Sequence, residues 1–295
     1  MNKEFHITNT QREILSGLTA GFLTTTVTHP LDLLKIRLQL DPSSNTKVFQ
    51  NFKKQINLIY VKYSFAQTFQ NLYRGILPNL IGNSLAWSIY FTSYRTFKDY
   101  RHKEIERLDS NLTSLDYLTS AFAAGSLTAF LTNPIWVLKT RILSTNKSDP
   151  GAYTNLFDGI KRILKEEGIL GFWKGFLPSL LGVSQGALQF TIYDTLKYQI
   201  KNDDHVKLEI YEYLYMSCTS KIISLMTIYP IQMMKSRLQA YENITERKKL
   251  RTLIKQIYYR EGIQGFYKGV VPNIIRVLPA TCITFSVYEE MKKIF

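Results

Sequence analysis

Few residues of this 295-residue sequence are of the kinds that build disulfide frameworks, metal sites or catalytic centres. The two cysteines, Cys218 and Cys282, both lie in apolar segments, so disulfides do not organise the fold. The four histidines are scattered without the spacing of metal ligands, and no glycine-rich phosphate loop occurs. We therefore predict no metal site, no bound cofactor and no enzymatic activity.

Long, uninterrupted apolar runs are also scarce, and the first dozen residues contain none that would serve as a cleavable signal peptide. Hydrophobic residues nevertheless make up 45% of the chain, and the charged residues fall between apolar blocks. A transmembrane helix that faces lipid on one side and a water-filled cavity on the other must be polar along one stripe. Interrupted apolar helices are therefore compatible with a membrane protein.

Acidic residues are also scarce. The chain has 23 acidic residues against 37 lysines and arginines, which gives a formal net charge of +14. Such a charge attracts polyanions, and both nucleic acid and an anionic lipid surface are eligible partners. A basic helical-repeat protein that binds nucleic acid is thus one interpretation. Against it stand a proline inside each long helix, small-xxx-small packing motifs and the absence of basic faces that run the length of a helix.

Three segments share one frame around a proline, and these prolines lie 104 and 96 residues apart. An aromatic residue, a base and a glycine follow each proline, and in the second and third copies an acidic-Gly pair precedes them. This shared period indicates a repeat architecture, so we predict one domain, 1–295, of three repeats at about 10–107, 108–205 and 206–295. The prolines are Pro30, Pro134 and Pro230, and the glycine turns are Tyr73-Arg74-Gly75, Trp173-Lys174-Gly175 and Tyr267-Lys268-Gly269.

Each repeat is predicted to form a long helix, a polar segment and a second long helix. The polar segment contains a short amphipathic stretch, such as Leu156 to Leu164, which is better explained as a surface helix than as a further span. Six long helices result. They cover about 14–40, 75–98, 115–143, 175–197, 213–238 and 269–292.

These motifs resemble the signature of the mitochondrial carrier family, which reads Pro-x-acid-x-x-base-x-base and then acid-Gly-x4-aromatic-base-Gly. The resemblance implies an all-α membrane protein, with six transmembrane helices in a three-fold pseudosymmetric bundle and three short amphipathic helices on the matrix side. It also implies a monomer that spans the mitochondrial inner membrane several times and transports a small molecule by alternating access. In this family, the glycine turns bind the headgroups of cardiolipin, and nucleic acid is not a partner.

Four further runs are similar to the branch of the family that carries FAD in fungi. The resemblance implies FAD or a related flavin as the transported substrate, not as a prosthetic group. Folate, NAD and pyrimidine-nucleotide carriers share the tryptophan after Pro134, so they are the alternative. A membrane scaffold without transport is an interpretation of a different class. The runs are Gly82 to Trp87, Asn133 to Trp136, Gly182 to Ala187 and Pro279 to Phe285.

The family's cyclic geometry implies a gate on the matrix side, in which the acid of one repeat faces the base of the next. Here only Asp32 and Lys139 form an ionic pair, because Trp136 and Gln232 occupy the other two acidic positions. We expect Trp136 to face Lys235, and Gln232 to hydrogen-bond Lys35. We call these six residues the matrix gate. Two bracing glutamines belong beneath it, Gln39 and Gln239.

A second gate, on the cytoplasmic side, is implied by the motif aromatic-acid-x-x-base near the ends of the second helices. The first copy has Arg95 in place of the acid, so two ionic pairs are expected instead of three. They join Asp194 to Lys292 and Glu289 to Lys98. Residues of this cytoplasmic gate are Lys98, Asp194, Lys197, Glu289 and Lys292.

Substrate contacts are implied at Gly82, Gly182 and Arg276, which are equivalent positions of the second helices. An arginine within the membrane is costly and has a planar fork suited to phosphate. Gly182 and Val183 would leave a flat surface for a ring. Further contacts are Asn83 and Gln185 by hydrogen bonding, Trp87 by stacking or else by packing alone, and Lys221 as a second phosphate contact or else a snorkelling side chain.

Overall fold

The computed structural model describes residues 9–41, 53, 57, 65–106, 113–145, 151–200, 210–240 and 250–294. Within these ranges the regular elements are all helical. Three short helices are α2 (Phe65–Leu72), α5 (Leu156–Glu167) and α8 (Leu250–Glu261). Six long helices are α1 (Asn9–Leu40), α3 (Ile76–Glu106), α4 (Ser114–Ser144), α6 (Phe176–Ile200), α7 (Ile210–Gln239) and α9 (Val270–Ile294).

The six long helices occur where the repeats predict them, with small differences at their ends. The largest difference is in α3, which we expected to end near Lys98 and which continues to Glu106. The added two turns are rich in charged residues that favour a solvated helix end, and Arg101 there forms a 2.6 Å ion pair with Asp116 at the start of α4. By length and composition, one helix among the described residues, Leu115–Ser144, is apolar enough to cross a membrane.

The long helices form a closed ring in which each repeat contributes a leading helix (α1, α4 or α7) and a trailing helix (α3, α6 or α9). Each trailing helix packs along the leading helix of the next repeat, and α9 packs back on α1. The three leading helices also contact one another. Each contains its repeat's proline, which removes one backbone hydrogen bond from the helix.

The short helices differ between repeats because the first repeat lacks an acidic-Gly pair. In the other two, Gly168 and Gly262 adopt positive φ angles of 73° and 64°, which end α5 and α8 and start a 3₁₀ turn. The first repeat has Thr68 at this position, and there α2 continues without interruption to Leu72. The missing glycine thus removes the helix stop.

The glycine turns hold the trailing helices against the leading helices of the neighbouring repeats. Gly175 has a φ of 72°, and a Cβ atom there would lie 3.1 Å from the carbonyl oxygen of Lys235. Gly269 has a φ of 81°, and a Cβ would lie 2.8 Å from the carbonyl oxygen of Lys35. Both positions therefore need glycine, for conformation and for space.

The residue before each proline ties its leading helix to the glycine turn of the same repeat. His29 Nε2 lies 2.9 Å from the carbonyl oxygen of Arg74. Asn133 Nδ2 donates to the carbonyl of Lys174 at 3.2 Å, and Tyr229 Oη donates to that of Lys268 at 2.7 Å. Three different side chains thus make one equivalent contact, which holds the start of each trailing helix against the leading helix of the same repeat.

Candidate functional site

The leading helices converge at one end of a cavity of about 440 Å³ in the centre of the ring. The acidic and basic positions of each proline motif are three residues apart, so both lie on one helix face. That face is turned to the cavity in all three leading helices. Its lining from these helices includes Asp32, Lys35, Trp136, Lys139, Gln232 and Lys235.

The structure brings the matrix gate residues together in the expected cyclic order. Lys139 Nζ lies 3.4 Å from Asp32 Oδ2, which makes the ionic pair expected between two leading helices. Lys35 Nζ donates to Gln232 Oε1 at 3.0 Å, a neutral contact. Gln232 in turn donates to Gln185 Oε1 at 2.8 Å, so the gate is linked to the wall formed by α6.

Trp136 replaces a carboxylate with an aromatic face that attracts two of the lysines. Lys139 Nζ lies 5.2 Å from the centroid of the Trp136 ring, and Lys235 Nζ lies 6.0 Å from it. A cation over an aromatic ring is stabilised by about 0.5–2 kcal/mol, depending on desolvation. The indole Nε1 donates to Thr132 Oγ1 at 3.0 Å, which orients the ring.

Asn79 joins the gate, although the sequence marks it only as a polar interruption of an apolar helix. Its Oδ1 accepts from Lys139 Nζ at 2.7 Å, and its Nδ2 lies 3.3 Å from Asp32 Oδ2 and 3.2 Å from His29 Nδ1. Asn79 is completely buried. The sequence signal for Asn79 was its position four residues before Asn83, which puts the two amides on the same face of α3.

Arg276 extends from α9 to Asp32 on the adjacent helix α1. Its Nη1 lies 2.6 Å from Asp32 Oδ1, a short, charge-assisted contact. Asp32 is thus bound by two cations, Lys139 and Arg276. The residue predicted to contact substrate is therefore also a partner of the matrix gate.

Positive charge dominates the cavity lining. Among the described residues of this lining, four side chains are cationic, Lys35, Lys139, Lys235 and Arg276, and one is a carboxylate, Asp32, which gives a formal excess of three positive charges. Charges in a partly desolvated cavity interact more strongly than on a surface, because water screens them less. The cavity is therefore built to attract an anion.

Most of the predicted substrate contacts line this cavity. A Cβ at Gly182 would meet no atom within 4 Å, so the wall there is open at the level of the backbone. Of the bracing glutamines, Gln239 lines the cavity, whereas Gln39 lies outside it and donates to Tyr229 Oη at 3.1 Å. The predicted contacts in the lining are Asn83, Gly182, Val183, Gln185 and Arg276.

Three predicted substrate contacts are not part of the described lining. Gly82 is packed against α4, where a Cβ would lie 3.1 Å from Ile135 and from the ring of Trp136, so its small size serves helix packing. Trp87 is 61% exposed and stacks on Phe91 at a ring distance of 5.4 Å. Lys221 is exposed on α7.

The cytoplasmic gate is described only in part. Asp194 and Lys197 are exposed, and Lys98 is half-buried. The side chains of Glu289 and Lys292 lie outside the described residues, so the two expected pairs stay predictions.

A ring of three arginines closes the end of the bundle below the matrix gate, which sequence reasoning missed. The Nε of each arginine donates to a carbonyl in the last turn of the next leading helix. Arg37 binds the carbonyl of Leu143 at 3.4 Å, Arg141 that of Gln239 at 3.0 Å, and Arg237 that of Gln39 at 2.9 Å. We call these three residues the arginine ring. The second base of each proline motif was the available signal.

The acids of the two acidic-Gly pairs hold members of this ring. Glu167 Oε2 lies 2.8 Å from Arg141 Nη2 and 3.0 Å from Lys174 Nζ. Glu261 binds Arg237 through both oxygens and Lys268 at 2.7 Å. Burial raises the pKa of Glu167, but hydrogen bonds and charges from Arg141 and Lys174 outweigh it, so its pKa lies below the usual value.

Comparison with known proteins agrees with this architecture. The sequence pattern of the family described as "Mitochondrial carrier protein" matches residues 8–104, 110–204 and 206–295. The mitochondrial FAD carrier of Saccharomyces cerevisiae is 41% identical over 96% of both chains. A mitochondrial nicotinamide adenine dinucleotide transporter of that yeast is 32% identical, over 97% of this chain and 78% of the relative. A chloroplastic folate transporter of Arabidopsis thaliana is 31% identical, over 95% and 94% respectively.

Three matched repeats, a closed helical ring and a central charged cavity are explained together by one assignment. The chain belongs to the mitochondrial carrier family, whose members are transporters and not enzymes.

Proposed function

We propose that the protein transports FAD, or a related flavin, across the mitochondrial inner membrane by alternating access. The observation that carries the proposal is the cavity, in which an excess of three positive charges lies beside the open backbone of Gly182. FAD combines an anionic diphosphate with flat rings, and both features match this lining. The 41% identity to the yeast FAD carrier supports the same substrate.

We also propose a placement in the membrane, which the family assignment supports. The six long helices each cross the inner membrane, the three short helices lie on its matrix face, and the protein acts as a monomer. The glycine turns open the trailing helices, where unpaired backbone amides and the positive end of the helix dipole favour an anion such as a cardiolipin headgroup.

Transport of folate, NAD or a pyrimidine nucleotide is the second candidate, because relatives named for folate and NAD are 31% and 32% identical. These molecules are also anionic and carry flat rings. A thermal-shift screen of the purified protein against FAD, FMN, NAD, folates and nucleotides separates the two, since a bound ligand raises the unfolding temperature. Uptake of the same compounds into proteoliposomes then tests transport. A shift and uptake for NAD or folate but not for FAD would refute the first candidate.

Other classes of protein make different predictions for the same preparations. A scaffold would give no flux for any of these compounds, and a nucleic-acid-binding protein would be soluble without detergent. The convergence of four cations inside the ring supports transport over either class.

Replacing Trp136 by Asp should favour the state in which the matrix gate is closed. The new carboxylate would face Lys235, whose described partner is the Trp136 ring. One added pair is worth about 1 kcal/mol, or about a fivefold change in the ratio of the two states. Cysteine labelling from each side of the membrane measures this ratio. Trp136→Asn is the neutral control, and an equal shift in both variants would contradict the role of charge.

Trp87 is proposed to stack on a ring of FAD. Its exposed face supports this role, although it stands outside the described cavity lining. We expect Trp87→Ala to weaken FAD uptake by about tenfold, because the aromatic ring is removed. Trp87→Phe should have a smaller effect, because a smaller ring still stacks. Phe190→Ala, which removes another exposed aromatic ring from a trailing helix, is the control. Uptake of FAD at the wild-type rate and affinity would instead assign Trp87 to packing.

A further inference from the structure

His29, which precedes the proline of the first repeat, is a completely buried imidazole beside the matrix gate. Both of its ring nitrogens have partners. Nε2 lies 2.9 Å from the carbonyl oxygen of Arg74, and Nδ1 lies 3.2 Å from Nδ2 of Asn79. The same Asn79 side chain contacts Lys139 and Asp32, the ionic pair of the gate. One amide therefore links the imidazole to that pair.

The chemistry of these partners fixes the protonation state of His29. Lys139 has donors only, so the atom of Asn79 that lies 2.7 Å from its Nζ is the oxygen, Oδ1. The amide nitrogen then faces Nδ1 of His29, which must accept a hydrogen bond from it. The ring proton is left on Nε2, which donates it to the carbonyl of Arg74. The assembled gate thus accommodates a neutral imidazole in one tautomer.

A second proton on His29 is incompatible with this arrangement. It would place an N–H of Nδ1 against the N–H groups of Asn79 Nδ2. Asn79 cannot turn its oxygen to the imidazolium without turning its amide nitrogen to Lys139, which has no acceptor. In either orientation a buried donor loses its acceptor, and leaving a buried polar group unmatched is costly. Protonation of His29 therefore breaks the link that Asn79 makes between α1 and the ionic pair.

The charges around His29 are mostly positive. The carboxylate of Asp32 attracts an imidazolium, but its oxygens are already bound by Arg276 and Lys139. The five cations of this region repel a further positive charge as long as the gate is assembled. The titratable groups described on the elements packed here are Asp32 and Lys35 of α1, Tyr73 and Arg74 at the glycine turn, Lys139 of α4, Lys235 of α7 and Arg276 of α9.

The other two repeats make equivalent contacts with side chains that do not titrate near neutral pH. Asn133 donates to the glycine turn of its repeat, and its oxygen lies 3.4 Å from the hydroxyl of Ser179, which occupies the position of Asn79. Tyr229 also donates to its glycine turn, and a phenol ordinarily titrates near pH ~10. Of the three positions before the prolines, the first alone carries a group that titrates between about pH 5 and 8.

We infer that His29 is a proton-binding site that makes the matrix gate sensitive to pH, and that uptake of one proton at this imidazole releases Asn79 and loosens the gate. The proton comes from the water that reaches the imidazole when the gate opens, and it returns to that water before the gate reassembles. Acid therefore favours the open gate. The inference does not depend on which compound is carried, and it rests on the proposed function only for the assignment of that water to the matrix.

The first test uses purified protein in detergent, without substrate or membrane, so its outcome is independent of transport. In a background with Cys218→Ser and Cys282→Ser, Thr140→Cys places a thiol at a cavity position that is 4% exposed. Its rate of labelling by a maleimide is divided, pH by pH, by the rate in the same protein with His29→Asn, which cancels the ionisation of the thiol. This ratio should rise by about fivefold between about pH 8 and pH 5.5. A constant ratio would overturn the inference.

The chain itself supplies the matched variants. His29→Asn copies the second repeat, where Asn133 both donates to the glycine turn and accepts from the next helix, so the fold should be kept. Thermal unfolding at about pH 8 checks this. His102→Asn removes an exposed histidine from α3 and should keep the full response to pH. An equal loss of response in both variants would assign the effect to general charge and contradict a specific site.

A second test observes the imidazole directly. Nitrogen NMR of protein with isotope-labelled histidine reports on four residues, and comparison with His29→Asn identifies the signals of His29. At about pH 8 these signals should show a protonated Nε2 and an unprotonated Nδ1. The opposite tautomer, or an imidazolium at that pH, would refute the inference. On acidification the signals should change over the same pH range as the labelling ratio, and a mismatch would show that another group opens the gate.

Discussion

Uptake of FAD should fall by about a hundredfold when Arg276 is replaced by Ala, because a charge-assisted partner of the diphosphate is lost and Asp32 loses its shortest contact. Arg276→Lys should lower uptake by about tenfold, since the charge remains but two-point contact with a phosphate does not. The measurement is the initial rate of uptake of radiolabelled FAD into proteoliposomes.

Folding and protein orientation must be equal across this series. Thermal unfolding in detergent checks the first, and protease accessibility of the vesicles checks the second. Arg251→Ala is the control for the loss of an arginine, because Arg251 is exposed on α8 and is not among the described residues of the cavity lining. Wild-type uptake by Arg276→Ala would place the substrate site elsewhere in the ring.

Glu167→Gln should lower the free energy of unfolding by about 3–5 kcal/mol, because it leaves the buried guanidinium of Arg141 without its carboxylate. Arg141 is completely buried and Lys174 shares the same Glu167 oxygen. Glu166→Gln is the control one residue away on α5. Glu166 pairs with Arg162 at 3.4 Å in an i,i+4 contact of partly exposed side chains, which is worth about 0.3–0.5 kcal/mol.

Thermal unfolding of the two variants measures the difference directly. The pKa of Glu167 is lower in the folded protein than its usual 4.5, so its stabilising effect is present above that pH. It is lost as the pH falls through the lowered folded pKa. Equal unfolding temperatures for Glu166→Gln and Glu167→Gln would show that this ion pair does not brace the repeat.

The positions of the long helices were predictable because three copies of one pattern constrain one another. The contacts of Asp32 with Lys139 and of Lys35 with Gln232 were predictable from the resemblance to the family, whose geometry places the acidic position of one repeat opposite the base of the next. The end of α3 was not predictable, because the last two turns of the helix are solvated and lack the apolar periodicity by which a helix is located in a sequence.

Contacts between non-equivalent positions could not be predicted from the period. The ion pair of Arg276 with Asp32 joins the third repeat to the first and has no counterpart, because Gly82 and Gly182 lack side chains at the equivalent positions. The packing of Gly82 depends on the ring of Trp136, a residue that departs from the repeat. The chemistry of the site is thus determined by residues that differ between the repeats. The contacts of such residues cannot be predicted from a pattern that the repeats share.

The arginine ring uses main-chain oxygens as acceptors, and those oxygens are present whatever side chains the neighbouring positions carry. The three hydrogen bonds can therefore form whether positions 136 and 232 carry the acid of the family signature or, as here, Trp136 and Gln232. Side chains that line the cavity can accordingly change to suit a different substrate while the arginine ring continues to close the end of the bundle. The choice of substrate is thereby independent of the closure of that end.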